Sequence, residues 1–411
     1  MNTKHSSRHS LDPVFLRLKN EFSAELNNIL EFWSSSCVDQ KYGGFIGTMD
    51  HFGKIIPEAS KGSILNSRIL WTFSAAYRFS KNEAYKILAD RAYRYITNHF
   101  WDDKNGGLFW ELDYFGNPLI TKKQAFAQGC GIYAFSEYYK ATGLEQSLSY
   151  AKELYIILEE KFWDFQFGGY IEALTEDWQD IEDMRLSLKD LNAPKSMNTH
   201  LHILEPFTNL YRIWPEARLK SSIQSLIQIF TSKIYDAKTN HLNLVFANNW
   251  TTQFQEISFG HDIEAAWLLN EADMMINDGN LNPELQRITN KLIEVTIDEG
   301  LDTDGSIFYE LNGAHLDTDK HWWPQAEGLV GFMDAYELDG NQEYLDKLIK
   351  LWGFIKSNMV DKSNGEWYWR VDQKNEPIIT ENKAGFWKCP YHNGRAMIAL
   401  IERINKMESV S

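Results

Sequence analysis

The stretch NGGLFWELD, residues 105–113, holds a turn pair followed by alternating large apolar and polar residues. Gly-Gly supplies the positive backbone angles of a tight turn, and strict alternation is the pattern of a short, half-buried strand. Related stretches occur on both sides of it. They are YGGFIGTMD at 42–50, FGGYIEALTED at 167–177, TNHLNLVFAN at 239–248, DGSIFYELNG at 304–313 and NGEWYWRVD at 364–372. The six copies recur at steps of roughly 60 to 70 residues, a period typical of repeat architectures.

Between copies the apolar period becomes helical. AYKILADRAYRYITNHFW (84–101) and SLSYAKELYIILEEKFW (147–163) place apolar residues at three- and four-residue steps. Each interval has room for two ordinary helices and their loops. Six such pairs predict an all-α protein, an (α/α)6 barrel of twelve main helices with short β-hairpins at one end. An open solenoid would need polar capping repeats. No long Pro/Gly/Ser linker divides the chain. The expected organisation is a polar leader, 1–12, and a single catalytic domain, 13–408.

The totals exclude several classes. The net charge is −16, which opposes binding to a phosphate backbone, so no nucleic-acid partner is expected. No stretch approaches 18 apolar residues, so no membrane span is expected. The leader MNTKHSSRHSLD lacks the apolar core of a secretory signal. The three cysteines, Cys37, Cys130 and Cys389, lack zinc-site spacing and suit a reducing, cytoplasmic setting. Fifteen tryptophans are many, and aromatic faces suit both a helical core and the C–H faces of sugars.

Five histidines stand out among eleven: His200, His202, His261, His321 and His392. In MNTHLHILE (197–205), a strand would put His200 and His202 on one face, ready to chelate a metal. A helix would set them about 200° apart and align Asn198 with His202, with Glu205 beside them. Leu201, Leu204 and Leu210 favour the helix, and Pro206 predicts a kink or interruption in it. In SFGHDIEAAWLL (258–269), His261 falls at a helix start, where the dipole favours a neutral imidazole. Glu264 lies one turn on, placed to orient it. Pro324 and Glu327 mark a helix start after Trp322 and Trp323. Trp387 and His392 flank a proline on a loop, and Arg68 is a charge inside an apolar helical stretch.

Together NSRILW (66–71), GGYIEAL (168–174), DLNAPKSMNTHLHILE (190–205), SFGHDIEAAWLL, WWPQAEG (322–328) and FWKCPYHNGRAM (386–397) resemble the N-acylglucosamine 2-epimerase family, most closely its cellobiose 2-epimerase branch. The resemblance implies an (α/α)6 barrel, in agreement with the repeat count. It implies a pocket of Arg68, Asn198, His202, His261, Glu264, Trp322, Trp323, Glu327, Trp387 and His392. It implies that His261 and His392 form the acid/base pair and that His202 supports ring opening or the intermediate. The family often has a tyrosine where this chain has Phe126, in KKQAFAQG (122–129).

The implied reaction inverts C2 at the reducing end of a β-1,4-linked disaccharide, interconverting glucose and mannose units. The ring opens, C2 loses its proton to give an enediol(ate), and a proton returns to the other face. Neutral imidazoles suit both transfers, and Arg68 suits the charge that develops on the enediolate oxygens. The chemistry calls for no cofactor and no metal, and the sequence has no phosphate-binding glycine loop. The alternatives are a mannose 2-epimerase on free sugar, an aldose–ketose isomerase, an inverting glycosidase using Glu264 and Glu327, and a non-catalytic carbohydrate-binding protein.

Overall fold

The computed structural model describes residues 13–410, so the polar leader 1–12 lies outside the described residues. Twelve α-helices lie among them. Six form an inner ring: α2 (Ser63–Ser80), α4 (Ala125–Thr142), α6 (Met197–Tyr211), α8 (Phe259–Ile276), α10 (Trp322–Asp339) and α12 (His392–Val410). Six pack outside them: α1 (Pro13–Ser36), α3 (Glu83–Tyr95), α5 (Glu145–Ile157), α7 (Ala217–Ile229), α9 (Pro283–Gly300) and α11 (Gln342–Phe354). Each inner helix touches the next, α12 returns to α2, and α1 packs on α12. This is the expected (α/α)6 barrel. No helix among the described residues is long and apolar enough to cross a membrane.

The two rings differ in composition for a physical reason. The first turns of α2 and α8 are buried nearly all round, because each inner helix meets neighbours on both sides and a partner behind. Outer helices carry one apolar stripe, such as Tyr344, Leu345, Leu348, Leu351 and Trp352 on α11. Asn82, Asn282 and Asn341 cap three of them by accepting from backbone N–H groups of the first turn. Four outer helices (α3, α5, α7 and α11) end in a π-helical turn that leads into a hairpin.

All six sequence signatures close the same small loop. The isolated pairs are Val38–Phe45, Trp101–Leu108, Trp163–Tyr170, Tyr235–Leu242, Leu301–Ile307 and Val360–Trp367. At Gly107 the backbone φ is 72°, and a Cβ there would meet Trp178 at 2.8 Å, so glycine is required twice over. The strand after each loop pairs with residues just before an inner helix: Leu112 with Lys61, Leu174 with Lys123, Phe246 with Lys195, Leu311 with Ile257 and Val371 with Lys320. Met49 pairs with Ala384 and closes the circle. The hairpins therefore gather at the end where the inner helices begin.

An ion pair made by a buried lysine fastens five of the six hairpins. Lys61 reaches Asp39 (2.7 Å), Lys123 reaches Asp102 (2.8 Å), Lys195 reaches Asp164 (2.7 Å), Lys320 reaches Asp302 (2.9 Å) and Lys383 reaches Asp361 (2.5 Å). In the fourth hairpin Ile257 stands at the lysine position. There His241 is bonded through Nδ1 to Asp262 at 2.7 Å instead. Nothing in the sequence pattern singles out His241, and its contact with Asp262 holds the hairpin in place.

Asp102→Ala should destabilise the protein by about 3–5 kcal/mol, because it leaves the Lys123 ammonium buried without its counter-charge. Lys123→Met should cost less, since Asp102 keeps the backbone N–H groups of Lys104 and Asn105 as donors. Urea unfolding of both variants measures the difference, and equal stability of Asp102→Ala and parent would contradict the clamp.

Candidate active site

The site forms where the inner helices begin. α6 runs without interruption from Met197 to Tyr211, with Ser196 as its N-cap. The sequence predicted a kinked or broken helix at Pro206. It is not interrupted: the helix continues through the proline, packed closely against α4. The helical reading settles the two histidines. His200 accepts the Tyr170 N–H at 2.9 Å through Nε2 and bonds the Ser196 carbonyl at 2.7 Å through Nδ1. Both nitrogens are engaged, and burial lowers the ring to about 4. His200 is thus a structural support for the third hairpin.

His202 is buried on the other side of α6. Its ring meets the edge of Phe126 at 4.7 Å, and Nδ1 lies 3.5 Å from Glu205. Asn198, one turn earlier, leaves its Oδ1 without a hydrogen-bond partner among the described residues. Burial lowers the pKa of His202, while Glu205 pulls it back up.

His261 sits in the first turn of α8, as expected, but Glu264 does not orient it. The Nδ1 of His261 is 2.7 Å from Ser258 Oγ. Glu264 points into the barrel, where Oε1 accepts from Arg395 at 3.1 Å. The i,i+3 spacing put both residues on one side of α8, but the guanidinium draws the carboxylate away. Burial is the largest cause that pushes His261 below the ordinary imidazole range, to about 3.

His392 begins α12 and carries the best-defined partner. Its Nδ1 is 2.6 Å from Glu327 Oε1. Burial and the nearby Arg68 and Arg395 charges hold its pKa well below the usual value. With Nδ1–H donated to a carboxylate, the free lone pair is on Nε2. Trp323 touches both histidines, with ring centroids 4.5 Å from His261 and 5.9 Å from His392. Trp322 lies 6.3 Å from His392 and packs on Trp369 at 4.8 Å. Trp387 borders Phe126 at 5.8 Å and Trp110 at 6.0 Å. His321, the N-cap of α10, stacks on Tyr309 at 3.7 Å.

Arg68 is only 5% exposed, and no carboxylate lies within ion-pairing range of it among the described residues. Its guanidinium lies over the rings of Tyr391 at 4.4 Å and Phe126 at 5.6 Å. A buried cation held by aromatic faces keeps its hydrogen-bond donors for an incoming oxygen.

Arg395 and Tyr391 escaped the sequence reading, and Glu205 was placed beside His202 but given no role. Arg395 donates through Nη2 to Glu327 at 2.6 Å and Glu264 at 3.1 Å, and through Nη1 to Glu205 and to Tyr391 Oη at 2.5 Å. Burial works against ionised Glu205, but Arg395 prevails and holds its carboxyl at about 2. Glu264 moves the other way, raised by burial and by the Glu327 charge. The signal that singled out Arg68, a charge in an apolar helix, applies equally to Arg395 one turn after His392.

Glu264, Glu327 and His392 bring possible metal ligands within 4.8 Å of one another. Arg395 already supplies positive charge between the two carboxylates, and a divalent ion there would face it directly. Activity should therefore survive EDTA, and loss on chelation with recovery on adding a divalent ion would refute this. Arg395→Met should lower stability by more than about 3 kcal/mol by stripping three buried carboxylates of their shared counter-charge, measured as a fall in urea midpoint.

Two imidazoles with depressed pKa values, a carboxylate behind one of them, an unspent guanidinium and a wall of tryptophans make a site for proton transfer on a polyhydroxylated substrate. Residues 44–396 match the family model described as N-acylglucosamine 2-epimerase (GlcNAc 2-epimerase), and the chain belongs to that family. It is 47% identical to a cellobiose 2-epimerase of Bacteroides fragilis, across 93% of this chain and 98% of that one. It is 39% identical to a cellobiose 2-epimerase of Dictyoglomus turgidum, across 94% and 99%. The solved structure of cellobiose 2-epimerase from Bacillus thermoamylovorans superposes with a TM-score of 0.91 at 37% identity, across 94% of this chain and 100% of that one.

Proposed function

We propose that the protein is a cellobiose 2-epimerase, a cofactor-independent isomerase that interconverts glucose and mannose units at the reducing end of a β-1,4-linked disaccharide. The observation that carries this reading is the His392–Glu327 pair, with His392 and His261 both set against the ring of Trp323. The near full-length likeness to cellobiose 2-epimerases supports the disaccharide substrate. Residues 13–408 act as one catalytic domain, a reading supported by the Met49–Ala384 closure.

The sugar must first open, because the C2 hydrogen is acidic only beside a C1 carbonyl. His202 assists this step, with Glu205 behind it. One imidazole of the His261/His392 pair then removes the C2 proton, and the other returns a proton to the opposite face. Glu327 fixes the tautomer of His392 so that Nε2 faces the reacting carbon. Arg68 stabilises the enediolate oxygens. Asn198 binds a sugar hydroxyl, while Trp322, Trp323 and Trp387 lie against the sugar faces. Glu264 secures Arg395.

The geometry disfavours an inverting glycosidase. Such enzymes separate their carboxyl groups by about 6.5–9.5 Å to admit water. Glu264 and Glu327 bring oxygens within 4.8 Å of one another and share one guanidinium nitrogen. The net charge of −16 disfavours nucleic-acid partners. Three buried free thiols suit a cytoplasmic setting.

His261→Ala and His392→Ala should each lower net epimerisation of cellobiose by about two to four powers of ten. In D2O, one of them should still wash deuterium into C2 of one epimer, because the remaining base works on its own face. NMR follows both signals, and full epimerisation by both variants would defeat the two-base scheme. His200→Ala should cost much less activity than His202→Ala. The acid limb of kcat/KM should lie below the ordinary imidazole value of about 6.5, since burial favours the neutral ring in all three site histidines.

A further inference from the structure

Pro206 stands four residues after His202, in the interior of α6. A proline has no N–H, so the carbonyl it deprives of an intrahelical bond is that of residue i−4. Here that residue is the pocket histidine. The deprived carbonyl is turned toward α4, where Gly129 approaches so closely that a Cβ would stand 2.3 Å from the His202 oxygen and 3.5 Å from the Pro206 ring. No side chain but hydrogen fits there. Contact between a glycine Cα–H and a carbonyl oxygen is a weak but directional attraction. One turn before Gly129, on the same face of α4, Phe126 sets its ring against the His202 imidazole at 4.7 Å. Helix α4 therefore grips His202 at two points, the ring and the backbone oxygen.

The turn between 202 and 206 also carries Glu205, which lies 3.5 Å from His202 Nδ1 and bonds Arg395 and Tyr391. A normal helical residue at 206 would draw the His202 carbonyl back into the helix and away from Gly129. The imidazole and Glu205 would move with that turn. An interior proline normally weakens a helix, yet this one adjoins two buried site groups.

We propose that Pro206 and Gly129 are positioning residues for His202, and that the helix bond given up at residue 206 is what sets the imidazole at its working height in the pocket. This rests on the reading of His202 as a residue of the epimerase site.

The test replaces Pro206 by Ala and by Ser in the full chain and measures melting temperature, kcat and KM on cellobiose, and the pH profile of kcat. Restoring the helix bond should leave the melting temperature equal or higher, while kcat falls about ten- to a hundredfold, as expected for a displaced catalytic group. KM should change by less than about threefold, since the other wall residues stay in place. The acid limb of the profile should shift, because His202 moves relative to the Arg68 and Arg395 charges. Gly129→Ala, which pushes on the same carbonyl from the other side, should lower kcat as well. His202→Ala is measured in parallel. Its full activity would remove the functional reading of His202 itself. An inactive His202→Ala beside fully active Pro206→Ala and Pro206→Ser would overturn the positioning role alone. A loss of activity that only tracks a lower melting temperature, with an unmoved pH profile, would also overturn it.

Discussion

One guanidinium sits among three carboxylates, and the centre of the barrel depends on it. Glu205, Glu264 and Glu327 project from α6, α8 and α10, and Arg395 meets all of them from α12. Burial and mutual repulsion raise the pKa of Glu264 and Glu327 even beside that cation, and without it they would raise that of Glu205 as well or push the helices apart. With it, Glu327 has charge to spare for His392, and Glu205 for His202. The division of labour between the two buried arginines follows. Arg395 is consumed by the protein, whereas Arg68 rests against aromatic rings and keeps its donors. A site that handles a neutral sugar and an anionic intermediate needs one of each.

The hairpins show how a repeat can persist while its sequence drifts. After the turn, one backbone N–H must be satisfied inside the protein. Gln128 accepts it from Leu108, His200 from Tyr170, Asp262 from Leu242 and Gln325 from Ile307. Four inner helices solve the same problem with three different side-chain chemistries. The requirement lies in the backbone, and any acceptor of suitable reach meets it. His200 is one solution in that series, which is why a histidine so near the site takes no part in it.

Much of this was legible in the residues. Turn pairs followed by alternation marked the hairpins, and helical periodicity between them gave the helix count. The ten pocket residues named from the sequence lie at or beside the starts of inner helices, or on the loop before α12. What stayed hidden depends on contacts between distant segments. Lys61 and Asp39 are far apart along the chain and look like ordinary surface residues until the hairpin folds back. The partner of Glu264 could not be inferred from its own helix, because a carboxylate turns toward the strongest nearby charge, and that charge is on α12. Pro206 misled for a related reason. A local rule predicts disruption, whereas close packing against Gly129 accommodates the carbonyl that the proline leaves over.

The placement of α12 has a consequence for how the molecule is made. This helix supplies His392 and Arg395 and packs on α1, whose apolar residues also meet Tyr336 of α10 and Trp352 of α11. It leaves the ribosome after every other barrel helix. A nascent chain therefore carries the acids of α6, α8 and α10 without the Arg395 counter-charge, and an α1 that only α10 and α11 partly cover. Chaperone demand should peak at that stage of synthesis. Docking of the final helix then closes the ring, gives the acids their counter-charge and brings His392 to Glu327 in a single event, so that the site is complete only when the barrel is.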